Sequence, residues 1–183
     1  LALLLIPAAI ATPCEVVLDA VPHLQRGPRC LVAATATAVS ARGGTIDRDL
    51  LEKLVPLQNG TDDAIALSGA LSSQGWDTLL FTGPPESAAQ LVEAGFAPVL
   101  MLNQDNEKHA VTVVGVRRLP APDGRCLGPV ADLAIIDPKT AKTAWISTAD
   151  VTGAQWREQL LVSFEPTAWA PSTTRGFSST WPS

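Results

Sequence analysis

One cysteine at the junction of a turn and a long apolar run constrains this chain more than any other feature. Leu24-Gln25-Arg26-Gly27-Pro28-Arg29 leads into Cys30, and Leu31-Val32-Ala33-Ala34-Thr35-Ala36-Thr37-Ala38-Val39 follows at once. The glycine–proline pair turns the backbone. The run behind it has the length and alanine content of a buried helix over Cys30–Ser40, stopped by Ala41-Arg42-Gly43-Gly44. Cys30 then sits at a helix N-terminus, where unpaired backbone N–H groups and the positive end of the helix dipole favour thiolate over thiol. Gln25, five residues upstream, carries a neutral N–H₂ that a turn can aim at an oxygen beside the sulfur, as an oxyanion donor.

A nucleophilic thiol needs a base, and the chain has two histidines, His23 and His109. His23 reads as a loop histidine on the segment that leads to Gln25. His109 opens His-Ala-Val-Thr-Val-Val-Gly-Val, an uncharged, β-branched strand closed by glycine. Phe96-Ala97-Pro98-Val99-Leu100-Met101-Leu102 reads as the strand before it, and the polar segment 103–108 as a hairpin connection. The pair predicts antiparallel strands with the imidazole at their loop end. Asn103, Gln104 and Asn106 fit turn formation better than cleft lining. Asp132-Leu133-Ala134-Ile135-Ile136-Asp137-Pro138 reads as another strand, ending in a carboxylate. If it pairs with the His109 strand, Asp137 can orient the ring.

Gln-x₄-Cys before an apolar helix, then His-Ala-Val-x-Val-Val-Gly-Val, then Ile-Ile-Asp-Pro, resembles the papain-like cysteine peptidases of the bacteriocin-leader-processing, double-glycine type in their stand-alone form. The likeness covers residues 21–164. It implies an α+β, papain-like fold with N-terminal helices packed on an antiparallel sheet. It also implies roles: Cys30 as nucleophile, His109 as base, Asp137 as orienter and Gln25 as oxyanion donor. It implies a peptide or protein substrate and no cofactor. One departure stands out. The family commonly has glycine after the cysteine, and here Leu31 stands there. A side chain at that position is expected to crowd the substrate or alter the backbone oxyanion donor. A catalytically silent, exported binding or assembly subunit of the same fold is therefore the competing reading. Acyl transfer in place of hydrolysis would use the same residues.

The rest of the chain reads as one domain over residues 15–166, between an apolar segment, 1–14, and an irregular tail, 167–183. The first eleven residues are uncharged and apolar and end in Ala9-Ile10-Ala11, the composition of a signal-peptide core and cleavage site. This predicts export, with the N-terminus as a candidate membrane attachment. The formal charge of −5 and the lack of a basic patch argue against nucleic acid. No Cys/His cluster has zinc spacing. Of the three cysteines, Cys14 and Cys126 are a candidate disulfide; lipidation of Cys14, or two free thiols, are the alternatives.

Further elements follow from pattern. Residues 45–55 read as an N-capped amphipathic helix with the stripe Ile46, Leu50, Leu51, Leu54, Val55. Residues 59–63 read as a loop, with Asp62 and Asp63 as solvated or capping groups without chemistry. Residues 64–74 and 86–94 read as helices, 78–81, 143–147 and 161–164 as strands, and 154–160 as a short helix. Trp169 and Trp181 in the tail are candidate anchors to a partner or membrane.

Overall fold

A computed structural model describes residues 14–104, 107–151 and 160–164. The organising element is helix α1 (Cys30–Ser40), which occupies the span the sequence predicts. It is apolar all round, and every residue from Cys30 to Val39 is buried, as expected of a helix enclosed by other elements. Its alanines let a sheet approach closely, and Thr112 Oγ1 donates to the Ala34 carbonyl across that contact (2.7 Å).

The remaining elements follow in chain order. Strand β1 (Cys14–Val17) precedes α1; helix α2 (Arg48–Leu54), strands β2 (Leu57–Gln58) and β3 (Thr61–Asp62), and helix α3 (Ala64–Ser72) follow it. Then come β4 (Asp77–Phe81), α4 (Pro85–Glu93), β5 (Val99–Gln104), β6 (Glu107–Arg118), β7 (Val130–Asp137), β8 (Lys142–Ser147), the single turn α5 (Thr148–Val151) and β9 (Leu160–Phe164). The main sheet is antiparallel in the order β4-β9-β5-β6-β7-β8. The long β6 pairs with β7 along one edge; on the other edge β5 takes its first half and β1 its second. Gly115 is required there, because a Cβ would lie 2.9 Å from Ala134 Cβ and 3.1 Å from the Val16 carbonyl oxygen.

Alternation along β6 and β7 supplies both faces of the sheet. Ala110, Val114, Ala134 and Ile136 join α1, α2 and α3 in one cluster with Leu51, Leu67, Leu71 and Trp76. Val111, Val113, Val116, Leu133 and Ile135 pack with Ala88, Ala89 and Val92 of α4. The expected N-terminal helices on an antiparallel sheet are thus present, and α4 covers the opposite face. Arg118, buried on that side, pairs with Glu86 and Glu93 of α4 (2.5 Å each).

Three local expectations change. The 45–55 helix begins only at Arg48, capped by Asp47, whose carboxylate accepts the Leu50 N–H. Its stripe is incomplete: Leu51 and Val55 are buried, but Leu50 and Leu54 are exposed. The 59–63 loop is a hairpin turn, with Asn59 (φ 52°) and Gly60 (φ 79°) joining β2 to β3. Asn-Gly between two short extended pairs is the signal for such a two-residue turn. Of the predicted 154–160 helix, residues 154–159 lie outside the described residues and Leu160 instead begins β9; the first eleven residues and the tail tryptophans also lie outside them.

Cys14 and Cys126 are disulfide-bonded across 112 residues, with Cα atoms 5.3 Å apart. A sulfur bonded to Cys126 is not available for a lipid thioether, so the disulfide displaces the lipidation and free-thiol readings of Cys14. The bond ties β1 to the polar loop after β6. Closing a loop of that length restricts the unfolded chain by roughly 5 kcal/mol in the chain-entropy account. Reductant is expected to lower the denaturant midpoint of the wild type clearly and to leave Cys126→Ser unchanged, as followed by equilibrium unfolding.

Candidate active site

Cys30 is the first residue of α1 and its sulfur is almost enclosed, at 5% residue exposure. Arg29 holds the cap position and has no side-chain acceptor to offer the helix. Asp62 supplies one from β3: its Oδ2 accepts the N–H of Val32, the third helical residue (3.1 Å). That is the bond a capping side chain makes, delivered from a different element. Arg29 neutralises the carboxylate, donating to Asp62 Oδ1 (2.8 Å) and to the carbonyls of Val55 (2.6 Å) and Glu52 (2.9 Å). Asp62 is therefore a buried structural group at 3% exposure, not the solvated aspartate its loop position suggests. Asp63 caps α3 through the Ile65 and Ala66 N–H groups. The same hairpin sets Thr61 Oγ1 3.8 Å from Cys30 Sγ.

His109 lies near the start of β6, opposite Leu102, and is buried at 6% exposure. Its Nε2 is 2.9 Å from Asp137 Oδ1. That contact leaves Nδ1 for the Cys30 side, where thiol and imidazole line the same cleft and interact electrostatically. Asp137 ends β7 and is held by its own turn: Oδ1 accepts the Lys139 N–H (2.8 Å), and its carbonyl accepts from Thr140 and Ala141. The structure thus brings Cys30, His109 and Asp137 together, with His109 hydrogen-bonded to Asp137 and sharing the cleft with Cys30. His23 stands apart, its backbone N–H bonded to Thr37 Oγ1.

Gln25 joins this group from a third direction. Its backbone N–H donates to the Pro138 carbonyl (2.8 Å), which ties its turn to the Asp137 turn. One N–H of its side-chain amide donates to the Gly27 carbonyl (2.7 Å), fixing the amide and leaving the second N–H. Its Oε1 is buried without a partner among the described residues. The Cys30 backbone N–H, first of the helix, also has no acceptor among them. Gln25, Cys30 and His109 line one cleft of about 410 Å³ with Pro28, Asn59, Gly60, Thr61, Lys108 and Lys139.

Electrostatics shift both groups in the direction of an ion pair. Burial pushes the Cys30 thiol up, but hydrogen bonds from His109, the Ala110 N–H and Thr61, with the His109 charge, outweigh it and bring the thiol below its ordinary 9.0. Burial pushes His109 down, while its bonds to Cys30 and Asp137 and the Asp137 charge raise it above 6.5. Each partner moves the other toward thiolate and imidazolium.

Leu31 does not enter the cleft. It is wholly buried (0% exposed) in the core shared by α1 and the sheet. The expected crowding of substrate by its side chain is therefore wrong: one helical step past Cys30 turns that side chain inward. Thr61, Asp62 and Arg29 are the neighbours of Cys30 that sequence reasoning missed. The Asn59-Gly60 turn signal was the clue to the hairpin that carries two of them.

No family model and no curated protein matches the sequence, but solved structures do. The chain is similar to a double glycine motif protease from an AMS/PCAT transporter, solved in complex with the leader peptide: 11% identity, TM-score 0.58, covering 81% of this chain and 93% of that one. The fold is that of a double-glycine peptidase domain. A second such domain, from Streptococcus ComA, a bi-functional ABC transporter involved in a quorum-sensing pathway, agrees at 15% identity and TM-score 0.58, over 80% of this chain and 97% of that one. A third, the N-terminal peptidase C39-like domain of a toxin secretion ATP-binding protein from Vibrio parahaemolyticus, agrees at 13% identity and TM-score 0.52, over 77% and 98%. The double-glycine peptidase fold, with its papain-like α+β arrangement, thus spans most of this chain.

Proposed function

We propose that this chain is a cysteine peptidase that hydrolyses a peptide bond through Cys30, His109 and Asp137. The observation that carries the reading is the His109 ring hydrogen-bonded to the Asp137 carboxylate and lining one cleft with the Cys30 thiol, with which it interacts electrostatically. The Cys30 thiolate attacks the scissile carbonyl carbon and forms a C–S bond. The negative charge passes to the carbonyl oxygen, where the Cys30 backbone N–H and the second Gln25 N–H receive it. The imidazolium gives its proton to the leaving amine as the C–N bond breaks, leaving a thioester. Neutral His109 then takes a proton from water, and hydroxide displaces the sulfur.

A fold relative solved with a leader peptide in place supports a peptide as substrate here. The Cys14–Cys126 disulfide supports export to an oxidising compartment, where such bonds persist. Among the described residues no helix is long and apolar enough to cross a membrane.

The test is cleavage of a peptide pool that includes double-glycine sequences, read by mass spectrometry. Wild type should release new termini and Cys30→Ala none. Gln25→Ala should turn over about 100-fold more slowly, the usual effect of losing one oxyanion donor. An intact pool, with Cys30 no faster toward alkylating agents than free cysteine, would sink the peptidase and leave the silent binding subunit.

A further inference from the structure

The cleft is cationic, and its cations are unspent. Lys108 precedes His109 on β6, and Lys139 follows Asp137-Pro138 in the turn to β8; both line the cleft and are exposed. The other lining residues, apart from the Cys30–His109 pair, are uncharged, and no Asp or Glu side chain lines the cleft among the described residues. Arg26, Arg29, Arg48, Arg117, Arg118 and Arg125 pair with carboxylates, whereas the two cleft lysines, like Lys53, Lys142 and Arg42, do not among the described residues. The protein carries a net charge of −5 and only four lysines, and two of them stand at this one cleft. The Lys139 backbone is fixed by Asp137, which holds the base of that side chain beside the reacting groups.

We propose that the cleft selects acidic peptides, with Lys108 and Lys139 as the specificity-determining cations that receive carboxylates flanking the bond to be cut. The proposal rests on the peptidase reading of the same cleft but is tested separately from it. Two exposed cation–carboxylate contacts give about a fivefold preference at low salt. The preference should fade at 1 M salt, where the screening length is only about 3 Å.

Two experiments on the full chain decide it. The first compares alkylation of Cys30 by anionic iodoacetate and by neutral iodoacetamide. The ratio of the two rates should fall about fivefold in the double variant Lys108→Gln/Lys139→Gln, and should fall in the wild type as salt is raised. The second measures binding of two octapeptide pools, identical but for Glu or Gln at the variable positions, to Cys30→Ala. That variant should prefer the Glu pool, and adding Lys108→Glu/Lys139→Glu should reverse the preference. Equal binding of the two pools, or a reagent ratio unmoved by both salt and substitution, overturns the proposal. Equal cleavage of both pools by the wild type would overturn it while upholding the peptidase. Binding of the Glu pool without cleavage by the wild type would uphold it and overturn the peptidase.

Discussion

His109→Ala is expected to lower peptide turnover by about four orders of magnitude and to shift Cys30 alkylation to higher pH. The first effect follows from losing both the general acid and the general base, each worth roughly 10²–10⁴ in rate. The second follows from the causes of the thiol's depression: after burial, which opposes it, the hydrogen bond from His109 is the largest. Without the ring, burial acts with only the Ala110 N–H and Thr61 against it. The wild-type profile of kcat/KM against pH should be bell-shaped. Its acid limb marks formation of the thiolate, below the ordinary cysteine value of 9.0. Its alkaline limb marks loss of the imidazolium proton, above the ordinary histidine value of 6.5. Asp137→Asn removes a charge that raises His109, so the alkaline limb should move to lower pH and narrow the bell. An alkylation profile identical in wild type and His109→Ala would show that ring and sulfur do not communicate.

Asp62→Ala is expected to cost about 3 kcal/mol of stability, although Asp62 reads in the sequence as an ordinary loop aspartate. The substitution removes two things at once. It uncaps the third N–H of α1, worth about 1 kcal/mol. It also strands the Arg29 guanidinium, largely buried at 18% exposure, with only carbonyl partners. Removing one member of a buried pair usually costs 3–5 kcal/mol, and the partial exposure of Arg29 places the expectation at the lower end. For a chain of this size the melting temperature should fall by about 10 °C. Asp62→Asn keeps an oxygen for the Val32 N–H and should lose less. Asp62 acts on Cys30 by holding the helix start in place, so the alanine variant should also slow Cys30 alkylation at fixed pH. A melting temperature within 2 °C of wild type would show that this cap carries no weight.

How much of this could be read from the chain alone depends on the range of the interactions. Helix α1 was legible to the residue, because an unbroken run of small apolar residues between a Gly-Pro turn and a Gly-Gly stop has one local solution. The strands of His109 and Asp137 were legible for the same reason: β-branched alternation is local, and their pairing follows from strand order. The start of α2 was misplaced because Thr45 and Asp47 are both good caps, and only the bond to Leu50 chooses between them.

The sequence alone thus determined the elements and the chemical types at their ends: a thiol on a helix start, an imidazole and a carboxylate on strand ends, a carboxamide on a turn. Tertiary structure decided what those groups meet. It turned Leu31 into the core, brought Asp62 and Arg29 onto the helix terminus, joined Cys14 to Cys126, and left Lys108 and Lys139 at the cleft without carboxylate partners among the described residues. The physical reason is that periodicity and capping act over a few residues, whereas burial, ion pairing and disulfide closure join positions tens of residues apart. Nothing in local pattern separates a buried aspartate from a solvated one until the chain has closed around it.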